Sequence, residues 1–154
     1  MSNEKRLVIG QIGCGYWGPN LLRVLNSSSD STVKWVVDSS PERREFVVER
    51  YPDTLVTASV SDSLDDPEVD AIVVSTPAGT HAELVEQALD AGKHVFVEKP
   101  LATTAEDATR LVDKASRLGL VLMAGHTFLY NDAVRKLKSL VHTGELGDIY
   151  YMSS

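Results

Sequence analysis

Three glycines at fixed spacing follow the first apolar run of this 154-residue chain. The run Leu7–Ile12 leads into Gly13-Cys-Gly15-Tyr-Trp-Gly18, and a helical pattern over 21–25 begins shortly after it. In a strand–turn–helix unit the first glycine permits a tight turn, the second lets the backbone approach a pyrophosphate, and the third permits close helix–strand packing. Free N–H groups and the dipole of the helix N-terminus then hold the anion. This spacing predicts a dinucleotide-binding turn.

An acidic residue at the end of the second predicted strand strengthens this prediction. Asp38 lies twenty residues after Gly18, the separation at which a carboxylate accepts hydrogen bonds from an adenosine ribose. A carboxylate at this position favours NAD over NADP, because it pairs with a free 2′-hydroxyl and repels a 2′-phosphate. Arg43 and Arg44 follow closely enough in the sequence to attract a phosphate. The alternative, which we favour, is that both arginines lie on a solvated helix face.

Apolar runs and helical patterns alternate along the chain. Continuous apolar character predicts strands that are buried on both faces, as in a parallel sheet. The predicted strands are 7–12, 33–37, 71–74, 94–97 and 120–123, with a weaker pattern at 55–57. Two helical stripes between them end at Gly92 and Gly119, and Pro41 marks the start of another helix. The chain is therefore predicted to form a doubly wound α/β domain with a parallel sheet, the Rossmann dinucleotide-binding fold.

Composition restricts the partners of this domain. Fifteen Lys and Arg residues against 22 Asp and Glu residues give a net charge of −7, which argues against nucleic acid and anionic membrane surfaces as partners. Cys14 is the only cysteine, and the four histidines share no short ligand spacing. We therefore expect no disulfide and no metal site. No apolar run approaches the roughly 20 residues that span a bilayer, so the expected location is the cytoplasm.

Three side chains within the glycine segment have alternative interpretations. Cys14 is predicted to pack beneath the turn rather than to act in redox chemistry, because the chain holds no second thiol to resolve an oxidised one. Tyr16 and Trp17 either flank the cofactor or cover the turn. The sequence does not separate these two possibilities.

Polar residues also follow the fourth and fifth predicted strands. Ligands of open parallel sheets bind beyond the carboxyl ends of the strands, where the segments 75–81 and 98–100 lie. A lysine at this place can orient a substrate hydroxyl and stabilise a developing alkoxide. Taken alone, Glu98 and Lys99 are instead typical of a surface ion pair. His81 taken alone is typical of an exposed residue in a first helical turn.

Together these segments resemble the glucose–fructose oxidoreductase/inositol dehydrogenase (Gfo/Idh/MocA) family. The resemblance covers nearly the whole chain and is carried by Gly-Cys-Gly-Tyr-Trp-Gly-Pro-Asn20, by Asp38, by Ser-Thr-Pro77 with His81, and by Ala-Gly-Lys-His-Val-Phe-Val-Glu-Lys-Pro100. It implies an NAD(P)-dependent oxidation or reduction of a sugar, nucleotide-sugar or cyclitol hydroxyl. The run 125–134, together with 144–151, is most similar to members that oxidise UDP-N-acetylhexosamine derivatives.

The resemblance also implies roles for individual residues. Lys99 is the catalytic lysine near the substrate and the nicotinamide, and Glu98 contacts the nicotinamide ribose. Thr76, Pro77 and His81 line the cofactor cleft. With the residues discussed above, the predicted cofactor-binding set is Gly13, Gly15, Tyr16, Trp17, Gly18, Asp38, Thr76, Pro77, His81 and Glu98.

Family members are longer and carry a second α/β domain, which supplies a catalytic His and Asp and most oligomer contacts. We therefore expect residues 1–125 to form the dinucleotide-binding domain and 126–147 a connecting segment with a helix. Val134, Leu137 and Val141 are predicted to face inward from that helix. The segment 148–154 is expected to be extended and to begin the substrate domain, which is absent here.

The predicted function is the NAD(P)-binding half of an oxidoreductase that acts on CH–OH groups. The full-length protein is expected to be a homo-oligomer, and this chain alone is expected to be inactive. The alternative is a stand-alone NAD-binding module with a sensing or partner-binding role. A strand-rich downstream reading frame would favour the enzyme.

Overall fold

The computed structural model describes residues 6–151 and 153. Within them, six strands form one parallel sheet: Leu7–Ile12 (β1), Ser31–Val37 (β2), Leu55–Thr57 (β3), Ala71–Val74 (β4), His94–Val97 (β5) and Leu122–Ala124 (β6). The α-helices of this part of the chain are Gly18–Ser27 (α1), Pro41–Arg50 (α2), Val60–Leu64 (α3), His81–Asp90 (α4), Ala105–Leu118 (α5) and Asp132–His142 (α6). Short 3-10 helices cover Ala78–Thr80 and Thr127–Tyr130.

The predicted alternation of strands and helices is confirmed. The strand order is β3-β2-β1-β4-β5-β6, which is that of a doubly wound Rossmann sheet. Ser40 accepts a hydrogen bond from the N–H of Arg43 and so caps α2, and Gly119 ends α5 with φ +67°. The short helix α3 was not predicted, because five residues are too few to display a helical stripe.

Two hydrophobic cores lie on opposite faces of the sheet. Ile72 and Val74 belong to one core and Val73 to the other, as the two-residue period of a strand requires. The first core is completed by apolar side chains of α4 and α5, and the second by Leu22 of α1 and Val47 of α2. Each fully buried aliphatic side chain of this kind stabilises the fold by about 1.5–3 kcal/mol. Burial on both faces explains why the strands are continuously apolar.

The strand order brings four polar turns to one edge of the sheet. Between β1 and β4 the order of the strands reverses, and a crevice forms there beyond the carboxyl ends of the strands. Gly13 follows β1 and Ser75 follows β4, so both lie at this reversal. Asp38 follows β2 and Glu98 follows β5 on either side of it. The fold therefore brings together residues that are up to 85 positions apart in the sequence.

The last helix does not pack as predicted. Val134 and Leu137 are 40% and 48% exposed and Val141 is half-buried, so the prediction that all three face inward is wrong. The periodicity identified the apolar face of α6 but carried no information about what covers it.

Beyond α6, residues 148–151 form no strand, and Tyr150 and Tyr151 are exposed. Residues 152 and 154, which were also assigned to this segment, lie outside the described residues. The proposed division at 125 and 147 stays a prediction. No helix of the described residues has the length and apolarity needed to cross a membrane.

A polar cluster fastens the loop before β4 to β2. Trp35 donates its indole N–H to Asp66 at 2.8 Å, and the Lys34 ammonium lies 2.6 Å from the same carboxylate. These hydrogen bonds, from Lys34 first and Trp35 second, lower the pKa of Asp66 to about 2. The buried ammonium of Lys93 donates to the carbonyl oxygens of Asp66 and Val69 at 2.8 and 2.9 Å. This loop is therefore held at both its side-chain and its backbone atoms.

The depressed pKa of Asp66 predicts a loss of stability in acid. Because the pKa is lower in the folded chain than the ordinary value of 3.8, the charged carboxylate stabilises the fold above about pH 5, and this contribution is lost as the pH falls towards 2. Asp66→Asn is expected to reduce the decline of the unfolding free energy between pH 5 and pH 2, measured by urea denaturation. Asp113→Asn, at an exposed position of α5, is the control. An unchanged decline in Asp66→Asn would contradict the assignment.

Candidate cofactor-binding site

The glycine turn after β1 presses against the end of β4. Gly13 has φ +94°, and a Cβ at this position would lie 2.8 Å from the backbone carbonyl of Ser75. Only glycine tolerates both the left-handed backbone and this approach. A Cβ at Gly18 would lie 2.9 Å from the carbonyl oxygen of Gly13. The sequence prediction of a tight turn and close helix packing is therefore met at the first and third glycines.

Several hydrogen bonds fix this turn before any ligand arrives. The side-chain amide of Gln11 donates to the carbonyl oxygens of Gly13 and Gly18, each at 3.0 Å. The Ser75 hydroxyl donates to the same Gly13 oxygen at 2.7 Å, and the Gly13 N–H donates to Val37 at 2.8 Å. The turn is thus held in one conformation.

Gln11 was missed by the sequence analysis as a site residue. It is fully buried within β1, and its amide nitrogen must be the atom that faces the two carbonyl oxygens, since these only accept hydrogen bonds. The available signal was a long polar side chain in the middle of an otherwise apolar strand. A buried glutamine costs free energy unless its polar atoms are paired. Here the amide nitrogen is paired with two carbonyl oxygens, whereas the amide oxygen is buried with no partner among the described residues.

Asp38 joins the glycine turn to the end of β2. Its carboxylate accepts hydrogen bonds from the N–H groups of Cys14 at 2.6 Å and Ser40 at 2.9 Å. Cys14 itself is fully buried, as its predicted packing beneath the turn requires. Burial, and then the nearby charge of Asp38, raise the pKa of the Cys14 thiol to about 11. The thiol is therefore protonated at neutral pH and lacks the reactive thiolate form.

The two arginines after Asp38 have different surroundings. The Arg44 guanidinium donates to the carbonyl oxygens of Asp38 at 2.6 Å and Ser39 at 3.0 Å, so it stabilises the β2–α2 turn. Arg43 is exposed and lines a cavity beside Asp38. The prediction that both lie on a solvated helix face therefore needs correction, because only Arg43 is exposed and it borders the candidate site.

Two cavities meet over the glycine turn. The first, of about 580 Å³, lies at the ends of β1 and β2 and includes Asp38 and Arg43 in its wall. The second, of about 680 Å³, lies towards the end of β5. The walls of both include Gly15, Ser75, Thr76 and Pro77. An ideal Cβ at Gly15 meets no atom within 4 Å, so this glycine leaves open space where the cavities join.

This geometry fits a dinucleotide. Two cavities joined at a turn beneath a helix N-terminus match two nucleoside halves linked by a pyrophosphate. The N–H groups of the Gly15–Gly18 segment, at the N-terminus of α1, would hold the pyrophosphate, since Pro19 has no N–H and the N–H groups of Asn20 and Leu21 already donate to Trp17. Asp38 would accept hydrogen bonds from a ribose in the first cavity, and a nicotinamide would lie in the second.

Aromatic side chains border the second cavity. Tyr16 is 92% exposed and stacks on Trp17 with ring centroids 6.5 Å apart. Both residues line this cavity, and the two interpretations of them, flanking the cofactor or covering the turn, stay predictions. Thr127 and Phe128, which the sequence analysis did not select, line the same cavity. Their 3-10 helix follows β6, and no short motif marked them.

The segment after β5 forms another wall of the second cavity. Glu98 and Lys99 both line it, and the Lys99 backbone N–H lies 3.3 Å from the Glu98 carboxylate. The Lys99–Pro100 peptide bond is cis. Among the described residues Lys99 has no ion-pair partner, so the alternative of a surface ion pair is wrong. Lys99 is exposed at the wall of this cavity, where it can contact a ligand.

His81 differs from the expectation based on its residue type. It begins α4, as predicted, but only 1% of its surface is exposed. The interpretation as an exposed helical residue is therefore wrong. The side chain lies in the wall between Thr76 and the segment after β5 and borders the second cavity.

Fold and site together define an NAD(P)-binding Rossmann domain. A family model described as an oxidoreductase family with an NAD-binding Rossmann fold matches residues 7–126. The chain belongs to this family, Gfo/Idh/MocA, as the sequence motifs predicted.

Individual relatives agree with this assignment. Over 147 residues the chain is 34% identical to a dTDP-3,4-didehydro-2,6-dideoxy-alpha-D-glucose 3-reductase of Saccharopolyspora spinosa, covering 95% of this chain and 44% of the relative. A variant of KijD10, a 3-ketoreductase from Actinomadura kijaniata solved with TDP-benzene and NADP, has a TM-score of 0.84 and 32% identity over 94% of this chain and 46% of its own. GenD2 from gentamicin A biosynthesis, solved with NAD, has a TM-score of 0.86 and is 31% identical; the match covers 92% of this chain and 40% of GenD2. The chain thus spans less than half the length of each of these relatives.

The open space at Gly15 predicts a selective effect of a side chain there. Gly15→Val is expected to fold, because its Cβ meets no protein atom, and to weaken NADH binding at least about tenfold by obstructing the pyrophosphate. Titration calorimetry and thermal unfolding of the 154-residue chain measure the two effects. Gly79→Val is the control, because its Cβ also meets no atom and Gly79 lines neither cavity. Unchanged NADH affinity in folded Gly15→Val would contradict the placement of the pyrophosphate.

Proposed function

We propose that this chain is the cofactor-binding half of an oxidoreductase that transfers a hydride between a nicotinamide and a CH–OH carbon of a sugar, nucleotide sugar or cyclitol. The observation that carries this proposal is the position of Lys99. Lys99 lines the second cavity, which adjoins the glycine turn, and its ammonium forms no ion pair within the described part of the chain. The names of the relatives, a nucleotide-sugar 3-reductase and a 3-ketoreductase, support the same reaction class.

Each part of the site has a separate task in this proposal. The N–H groups of the glycine turn, at the N-terminus of α1, hold the pyrophosphate, and Asp38 orients the adenosine ribose. Glu98 is proposed to accept a hydrogen bond from the nicotinamide ribose, while Thr76, Pro77, Tyr16 and Trp17 confine the ring. Bound nicotinamide supplies the carbon that accepts or returns the hydride.

Lys99 is proposed to act on the substrate oxygen. Oxidation of a CH–OH group removes a hydride from carbon and a proton from oxygen, and it leaves a carbonyl. The ammonium of Lys99 can donate a hydrogen bond to that oxygen and stabilise the negative charge that develops as the proton leaves. The same hydrogen bond polarises the carbonyl in the reverse direction. A separate group is needed to accept the proton, and the family resemblance implies a His and an Asp outside this chain.

We infer a preference for NAD over NADP from the charges in the first cavity. The Asp38 carboxylate would repel a 2′-phosphate, and Arg44 is engaged by two backbone carbonyl groups. Arg43 is left as the cation beside Asp38 in the cavity wall. The relatives' structures hold either cofactor, NADP in KijD10 and NAD in GenD2.

Substitution of Asp38 tests this preference. Asp38→Asn keeps an acceptor for the Cys14 N–H but removes the charge, so NADH affinity is expected to fall by about 1.5–3 kcal/mol while NADPH affinity rises. Both affinities are measured by calorimetry on the same preparations. Arg43→Ala is the matched variant and is expected to leave NADH binding nearly unchanged. The proposed preference would be wrong if the unsubstituted chain bound NADH and NADPH equally well. If Arg43→Ala then lost affinity for NADPH, Arg43 would be the residue that determines cofactor choice.

Lys99 provides the test of catalysis. In the complete oxidoreductase, Lys99→Ala is expected to lower turnover about a hundredfold or more without a matching loss of NADH affinity. Arg117→Ala, an exposed cation on α5 that lines neither cavity, is the control. The 154-residue chain alone is expected to form no NADH from sugars, nucleotide sugars or polyols. Robust turnover by the chain alone, or by Lys99→Ala, would refute the proposed roles.

A further inference from the structure

The buried imidazole of His81 contacts two separate turns of the site. Its Nδ1 lies 2.6 Å from the carbonyl oxygen of Pro100, and its Nε2 lies 2.8 Å from the carbonyl oxygen of Thr76. Thr76 follows β4 and Pro100 follows β5. One side chain therefore bridges the two strand ends that border the second cavity.

The chemistry of these contacts is restrictive. A carbonyl oxygen only accepts hydrogen bonds, so a ring nitrogen must carry a hydrogen to bind it. A neutral imidazole satisfies one of the two carbonyl groups, and an imidazolium satisfies both. With only 1% of His81 exposed, water has little access to replace a lost contact, and an unpaired buried carbonyl group is costly.

The bridged turns carry functional groups of the proposed site. Thr76 and Pro77 line both cavities, and Glu98 and Lys99 immediately precede Pro100 and line the second cavity. The distance between the Thr76 and Pro100 carbonyl groups therefore affects the width of the second cavity. Both ring nitrogens of His81 are directed at backbone carbonyl groups, which leaves neither for a ligand in this arrangement.

We infer that His81 is a positioning residue that fastens the Glu98–Pro100 turn to the Ser75–Pro77 turn and so sets the second cavity. The inference rests on the proposed function for the identity of the ligand, a nicotinamide nucleotide. The bridge itself does not depend on that function. A role limited to filling the core beneath α4 would need the volume of the ring but neither of its nitrogens.

Three variants of the 154-residue chain separate these roles. His81→Asn places an amide near the position of Nδ1 and can keep the contact with Pro100. His81→Gln places its amide near the position of Nε2 and can keep the contact with Thr76. His81→Leu fills the space and keeps neither contact. His94→Asn is the matched control, because His94 lies at the opposite end of β5 and its Nδ1 accepts a hydrogen bond from the Val121 N–H.

Cofactor fragments measure the effect on the second cavity. ADP probes the first cavity and the pyrophosphate site, whereas NADH also needs the second cavity. In His81→Leu, NADH affinity is expected to fall about tenfold while ADP affinity changes less than about twofold. His81→Asn and His81→Gln are expected to recover part of the NADH affinity, and His94→Asn is expected to leave both affinities unchanged. A general loss of stability would lower both affinities together.

Carbonyl carbon chemical shifts give a measurement that needs no cofactor. In His81→Asn the Thr76 carbonyl carbon is expected to shift and the Pro100 carbonyl carbon to stay, with the reverse in His81→Gln. If the unsubstituted chain binds neither ADP nor NADH, the proposed function fails and these shifts still decide the role of His81. The inference is overturned if neither carbonyl shift follows this pattern, or if folded His81→Leu keeps the full ratio of NADH to ADP affinity. Should His81→Leu fail to fold, the Asn and Gln variants decide the same question.

Discussion

The close approach of Gly13 to Ser75 is the constraint on which the site depends. The contact leaves no room for a Cβ at Gly13, and it places the Gly13 carbonyl oxygen where Gln11 and Ser75 both donate to it. These hydrogen bonds fix the glycine turn at the point where the strand order reverses. A turn that is fixed in advance loses little conformational freedom when an anion binds. Next to this fixed turn the two cavities join, because Gly15 projects no side chain into the space between them.

Polar side chains also connect the strand ends around this turn. Asp38 connects the end of β2 to Cys14, and His81 connects the ends of β4 and β5 through two carbonyl groups. Each of these groups is partly or fully withdrawn from water, where a satisfied hydrogen bond is stronger and an unsatisfied group is costly. The crevice is therefore bordered by turns that are held relative to one another, while Lys99 and Tyr16 remain exposed at its edge.

The local sequence pattern was sufficient to predict the fold and the role of the glycine turn. The roles of the three glycines and Asp38 could be predicted because strand–turn–helix geometry depends on residues close together in the sequence. The strands could be predicted from continuous apolar runs. The burial of His81 and the role of Gln11 depend on contacts with backbone carbonyl groups, one of them nineteen residues away. Residue type does not indicate these contacts, because glutamine is mostly exposed in proteins and histidine is intermediate. The uncovered face of α6 was missed for a related reason, since periodicity identifies an apolar face but not its partner.

The fixed glycine turn and the two adjoining cavities are expected to bind a nicotinamide dinucleotide. The most direct measurement is a titration of the ¹⁵N-labelled chain with NADH, followed by amide chemical shifts. We expect saturable shifts concentrated at the glycine turn, at Asp38 and Ser40, and at Thr76, Glu98 and Lys99, with the exposed face of α5 unaffected. A folded chain whose amides at the glycine turn do not respond to NADH, or respond no more than those of α5, would contradict it.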